Sequence, residues 1–171
     1  MELQPATAIP LPAVIPDVPL PHGTDPAAVR EWAEGVIRSF GLTDWHFEIG
    51  RAVRRLGVCR FRSRTIGVSA FLLDQPHELR LTLLHELSHV FAGPREGHGR
   101  RWRELAKRIG ARPERCNTTA VVPPGTWRAT CHGCQRVAHR HRRPKKVNGW
   151  SCRMCGPRIG RLIWFKAEGG T

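Results

Sequence analysis

Leu79-Arg80-Leu81-Thr82-Leu83-Leu84-His85-Glu86-Leu87-Ser88-His89-Val90-Phe91 is the stretch on which the reading of this chain turns. It embeds the pattern H-E-x-x-H in an apolar run. Residues four apart on a helix share a face, so the imidazoles of His85 and His89 can reach one metal ion. Glu86 follows the first histidine directly, where its carboxylate can deprotonate a water that the metal activates. Burying these three polar side chains on an apolar helix is costly unless a cation or other partner satisfies them. A chain of this composition yields roughly 0.03 such matches by accident, before context is counted. The leading expectation is a catalytic zinc site that hydrolyses peptide bonds; the bland reading is a satisfied pair of core histidines.

A catalytic zinc site takes three protein ligands and keeps one open position. His98 is the expected third ligand. It sits in Glu96-Gly97-His98-Gly99, beyond a helix stop at Gly93-Pro94, where the glycines let the chain fold back. Glu96 is the competing ligand. His77 lies two turns before His85, too far along the axis to share the ion. His22 and His46 have no partner in sequence. In the expected chemistry zinc polarises the scissile carbonyl, and Glu86 takes a proton as general base and returns it to the leaving amine. The sequence singles out no oxyanion stabiliser beyond zinc.

Around this stretch the chain alternates between helical and strand-like patterns. Residues 1–25 hold six prolines and little charge, and read as an extended, disordered arm. Asp25-Pro26 looks like a helix start, with Val29, Trp32, Ala33, Val36, Ile37 and Phe40 at helical spacing and Gly41 closing it. Trp45–Ile49, Val58–Arg62 and Thr65–Phe71 alternate as strands, which predicts a short antiparallel sheet. Asp74 is the expected cap of the metal-bearing helix, with Pro76 in its first turn. A third helix is predicted over 100–109. Val121-Val122-Pro123-Pro124-Gly125 reads as a linker, so the expected fold class is α+β: a small helix-and-sheet domain over 26–122, then a separate module over 127–171.

That module carries Cys131-His132-Gly133-Cys134 and Cys152-Arg153-Met154-Cys155, two C-x-x-C knuckles separated by 17 residues. The spacing predicts a four-thiolate structural zinc site in a ribbon, with Cys131, Cys134, Cys152 and Cys155 as ligands. Cys59 and Cys116 are left over and are expected as buried, reduced thiols. The chain has a net charge of +14, distributed one-sidedly. Residues 1–94 carry 9 Lys+Arg against 10 Asp+Glu, whereas residues 95–171 carry 19 against 4. So lopsided a field points to a polyanion, most simply DNA. Arg136, Arg140, Arg142, Arg143, Lys145 and Lys146 on the hairpin are the expected contacts, with Trp127, Trp150, Trp164 and Phe165 flanking it. No run of 18 apolar residues spans a membrane, and the start is a poor signal peptide, so a cytoplasmic protein is expected. The excess of Arg over Lys, 24 to 4, hints at a GC-rich genome.

Taken in order, Leu56-Gly57-Val58-Cys59, Thr65-Ile66-Gly67-Val68-Ser69, Leu83-Leu84-His85-Glu86-Leu87-Ser88-His89, Gly97-His98-Gly99 with Trp102 after it, and the terminal ribbon resemble the SprT-like family, which includes the DNA-dependent protease Spartan. The resemblance covers roughly residues 26–165. It implies a zincin-like metalloprotease domain over 26–122, His85, His89 and His98 as ligands of one catalytic zinc, Glu86 as base, and a second, structural zinc in the ribbon. It further implies cleavage of proteins bound or crosslinked to DNA. Separately from the resemblance, a nucleoid-associated setting in a bacterium or phage is expected, and a monomer is the favoured oligomeric state. Two other readings stand beside it. One is a non-proteolytic zinc-containing DNA-binding or regulatory protein. The other is a metallohydrolase with a non-protein substrate, because H-E-x-x-H alone does not name the bond that is cut.

Overall fold

The structure, a computed structural model, describes residues 9–53, 55–117 and 119–167. They divide into two compact units that part between Val121 and Val122. Both mix helices with small sheets, which makes the chain α+β.

The N-terminal unit begins with helix α1 (Pro26–Ser39). Asp25 caps it as expected, its Oδ2 accepting the backbone N–H groups of Ala27 and Ala28 at 2.9 Å. Three strands follow: β1 (His46–Gly50), β2 (Gly57–Arg60) and β3 (Thr65–Ser69). They lie in the order β1-β3-β2. β2 and β3 pair antiparallel as expected, with Gly57 opposite Val68, but β1 and β3 run parallel, with His46 opposite Thr65. Burial accounts for the order. Ile66, Gly67, Val68 and Ser69 of β3 are all buried, so both faces of the strand are covered, and such a strand belongs at the centre of the sheet. β1 and the half-buried β2 therefore lie at the two edges.

After a 3₁₀ turn at Ala70–Leu72 comes α2 (Pro76–Ala92), which is buried on almost every side. Leu79, Leu83, Leu84, Leu87, Val90 and Phe91 form the centre of the core, so α2 reads as apolar all round rather than as a one-sided stripe. The expected cap at Asp74 is not used. Pro76 occupies the first turn and places the cap at Gln75. The Gln75 side chain instead accepts the Val121 N–H at 2.7 Å and donates to the Val121 carbonyl at 2.8 Å. Helix α3 (Arg100–Arg108) follows a turn in which Gly93 and Gly97 take positive φ, the conformation that glycine adopts without strain.

The arm departs from the expectation of disorder. Residues 1–8 lie outside the described residues. Residues 9–25 form no helix or strand, yet Val18 is buried and Ile9, Leu11 and Ile15 pack on the core. Backbone carbonyls left free by proline-rich chain serve as acceptors: Pro19 accepts from Trp32 Nε1 at 3.1 Å, and Val18 accepts from Arg80 Nε.

The C-terminal unit holds β4 (Trp127–Thr130), β5 (Val137–Arg140), β6 (Trp150–Cys152), the short helix α4 (Gly156–Ile159), β7 (Gly160–Leu162) and β8 (Phe165–Lys166). They make a three-stranded sheet in the order β5-β4-β8 and a β6-β7 pair, both antiparallel. The unit's apolar centre is slight, with Ala129, Cys131, Leu162 and Trp164 buried. Among the described residues, no helix is long and apolar enough to cross a membrane.

Candidate metal centres

α2 sets His85 and His89 one turn apart, and the Gly93–Gly97 turn swings His98 back toward them. The three side chains offer ligand nitrogens within 4.8 Å of one another. His98 Nε2 lies 3.0 Å from His85 Nε2 and 3.2 Å from His89 Nε2. A tetrahedral cation with bonds of about 2.0–2.1 Å holds its nitrogens on the order of 3.4 Å apart, so the donor set fits zinc in both kind and spacing. Burial first, and the neighbouring histidines second, push His85 down to about 4. Burial and His98 do the same to His89, against an opposing hydrogen bond with the Gly97 backbone. Neutral imidazoles are the form that ligates a metal.

Trp102 of α3 underlies the cluster. It is fully buried, and its ring centroid stands 4.7, 5.3 and 4.5 Å from those of His85, His89 and His98. The aromatic that follows Gly97-His98-Gly99 in sequence thus forms the floor that orients all three rings. Glu96, the competing ligand, points elsewhere. Its Oε1 accepts the Arg101 N–H at 3.0 Å, at the positive end of α3. His77 is exposed at the start of α2, 3.9 Å from Glu78, while His22 and His46 are exposed; none joins the cluster.

Glu86 is 6% exposed, and its side chain lies against β2. Burial pushes its carboxyl up to about 8, even though the Arg55 charge acts the other way. A cation at the adjacent histidines favours the ionised form. The triad and Glu86 open into a cleft of about 530 Å³. One wall is the edge strand β2, with Gly57, Val58 and Cys59; the other is the loop after α3, with Arg112, Glu114, Arg115 and Cys116. Cys59 is half-buried, and burial together with Glu86 pushes its thiol up to about 12, which keeps it protonated. Cys116 departs from the expectation of burial: it is exposed, because it lies on that loop rather than in a core element.

The loop wall has no signature in the sequence. It is tied to the start of α2 through Glu78. That carboxylate accepts Arg112 Nη1 and Nη2 at 3.1 and 3.2 Å, Asn117 Nδ2 at 2.7 Å and Thr119 Oγ1 at 2.8 Å. Partners 34 to 41 residues away carry no local signal in sequence.

In the C-terminal unit, Cys131, Cys134, Cys152 and Cys155 offer sulfurs within 4.8 Å of one another, a donor set that suits a tetrahedral thiolate site. The Cys134 N–H donates to Cys131 Sγ at 3.4 Å and draws that thiol down to about 7. Cys155 is pushed up to about 12, first by its hydrogen bond with Cys134, because neighbouring thiols resist ionising together in the absence of a cation.

Residues 122–167 hold eleven Lys+Arg and no Asp or Glu. Arg136, Arg142, Arg143, Lys145 and Lys146 are exposed, and Arg140 is half-buried. Arg140 lies over the rings of Trp150 and Trp164 at 4.7 and 5.7 Å, and Arg143 lies 5.8 Å from Trp127. Of the aromatics, Trp164 belongs to the ribbon core and Trp127 packs on it, while Trp150 and Phe165 are 39% and 53% exposed.

Similarity to known proteins bears on the same elements. The germ cell nuclear acidic protein of Drosophila melanogaster is 35% identical over a 107-residue alignment that covers 56% of this chain and 10% of that relative. The chain thus corresponds to a small part of the relative's length. No solved structure matches the chain. Residues 28–121, which run from α1 through the histidine cluster to the end of the Glu78-braced loop, match the SprT-like family, and the chain therefore belongs to it.

Proposed function

We propose that this protein is a zinc-dependent protease that cuts proteins held at DNA, with the ribbon supplying the grip on nucleic acid. The observation that carries the proteolytic half is the convergence of three neutral imidazole nitrogens beside a buried Glu86 at the base of an open cleft. Membership in a family of zinc-metallopeptidase type supports it.

His85, His89 and His98 would hold the metal. Zinc held there would supply Lewis acidity for a scissile carbonyl and for a water to be deprotonated. Glu86 then takes a proton from the attacking water and delivers it to the leaving amine nitrogen as the C–N bond breaks. Burial of Glu86 beneath the cleft limits hydration of its carboxylate and keeps proton transfer short. Trp102 holds the three rings in register.

The nucleic-acid half rests on the basic stretch 122–167, which holds no Asp or Glu, and on its exposed Trp150 and Phe165. Arg136, Arg140, Arg142, Arg143, Lys145 and Lys146 would neutralise phosphates, and an exposed ring would stack on an unpaired base. A second zinc, held by the four cysteines, would keep the ribbon folded. Binding through the ribbon raises the concentration of the protease near DNA-bound substrates.

The test is Glu86→Gln in the zinc-loaded protein, assayed on a DNA-binding protein with and without single-stranded DNA. Zinc and DNA binding should persist while cleavage falls by about 10²–10⁴. Unchanged proteolysis by this variant refutes the mechanism.

A further inference from the structure

Gly57 opens β2, the edge strand that walls the cleft. Its φ lies outside the left-handed region, so the backbone there suits any residue. What requires glycine is room. A Cβ at position 57 would stand 2.3 Å from Glu86 Oε1, 2.9 Å from Glu86 Cδ and 2.8 Å from Thr82 Cγ2. Thr82 and Glu86 are one turn apart on α2, and both side chains face β2. Thr82 is short, β-branched and buried, so it has little freedom to yield. Glu86 is longer, and its carboxylate is the end that moves.

We infer that Gly57 is a positioning residue: its bare backbone is the seat against which the Glu86 carboxylate rests. The inference rests on the reading of Glu86 as the proton acceptor. Any side chain at position 57 pushes that carboxylate off its seat, while the imidazoles, none of which has an atom among the three nearest to that Cβ, are left where they are. The result separates two properties that a packing defect would damage together. Metal binding and the fold persist; proton transfer fails.

The experiment uses the full zinc-loaded chain in four variants, Gly57→Ala, Glu86→Asp, the double variant and Glu86→Gln, with fluorescein-labelled casein as the probe substrate. Zinc affinity is read by competition with a chromogenic chelator, folding by circular dichroism, and kcat and KM separately. Gly57→Ala should keep zinc affinity and KM within about twofold while kcat falls by about 100-fold, the order expected for an ångström-scale misplacement of a reacting group. Glu86→Asp withdraws the carboxylate by one methylene and clears space for the new methyl group. The double variant should therefore retain at least about ten times the kcat expected from multiplying the two single losses.

Wild-type kcat in Gly57→Ala, or strictly multiplicative losses in the double variant, overturns the inference. So does a loss of activity that only tracks a loss of zinc. Should Gly57→Ala fail to fold, a double variant that folds no better overturns it, and one that recovers supports it. Glu86→Gln keeps the two ideas apart. Wild-type turnover by that variant removes the proton-acceptor reading itself, whereas an inactive Glu86→Gln beside a fully active Gly57→Ala removes only the role of Gly57.

Discussion

Replacing Glu78 with Gln tests the brace on the loop wall of the cleft. The Glu78 side chain is 12% exposed, and it gathers Arg112, Asn117 and Thr119. Burial alone would raise its carboxyl. The hydrogen bonds from Thr119, Asn117 and Arg112, with the Arg112 charge, outweigh that and hold it below the usual carboxylate range. A hydrogen bond to a charged group contributes about 1.5–3 kcal/mol net. The Arg112 side chain is 38% exposed, so water screens that pair and takes over part of its role. Glutamine also keeps one acceptor oxygen and the packing. The expected loss is about 2 kcal/mol, or a fall in melting temperature of roughly 5–10 °C.

The sign of the pH dependence follows from the lowered carboxyl. A group with a depressed folded-state value contributes stability that is fully present above its unfolded value, about 4.3 for Glu, and loses it as pH falls through the folded value. Wild type therefore gives up this contribution on acidification, and the variant has none to give up. Calorimetric melts of both proteins, from neutral pH to about pH 3, should show a gap that is widest at neutrality and closes in acid. Amide exchange across 112–121 should quicken in the variant at neutral pH. Equal melting temperatures at neutrality, or a gap that does not narrow in acid, would refute the brace.

Three further outcomes are expected. Trp102→Ala should destabilise the N-terminal unit by about 3–5 kcal/mol, and zinc affinity should drop about 10–100-fold because the three imidazoles lose their common floor; calorimetry and chelator competition read the two effects. Cys155→Ser should unfold the ribbon and abolish DNA binding while leaving cleavage of a free protein intact, checked by fluorescence anisotropy and a gel assay. Changing Lys145 and Lys146 together to Ala should lower the slope of log affinity against log salt by about 1.4–1.8 on single- or double-stranded DNA; an unchanged slope would show that neither lysine meets phosphate.

The signals legible in the chain are short-range ones. The shared face of His85 and His89 follows from the helix repeat, and the two cysteine knuckles from their own spacing. The cap at Asp25 is legible because Pro26 follows it directly; Asp74 misleads because Pro76, two residues on, moves the helix start and gives the cap position to Gln75. Strand content is visible in alternation, but which strand lies at the centre is not, since pairing depends on which faces the helices cover. The proline-rich arm reads as disordered because composition does not show that side chains such as Trp32 and Arg80 await its carbonyls.

The amino-acid sequence by itself determined the local chemistry: a helix with two imidazoles and a carboxylate on it, four thiols in two pairs, and a basic tail poor in acids. Only the tertiary structure decided that His98 rather than Glu96 turns toward the imidazole pair, that Trp102 floors all three rings, that Glu78 ties down the cleft wall, and that Gly57 makes room for Glu86. The physical reason is range. Helical and knuckle geometry is set by residues within about four positions of one another, whereas the seat of Glu86 and the brace at Glu78 join groups 29 to 41 residues apart that meet only when β2, α2 and the following loop pack together.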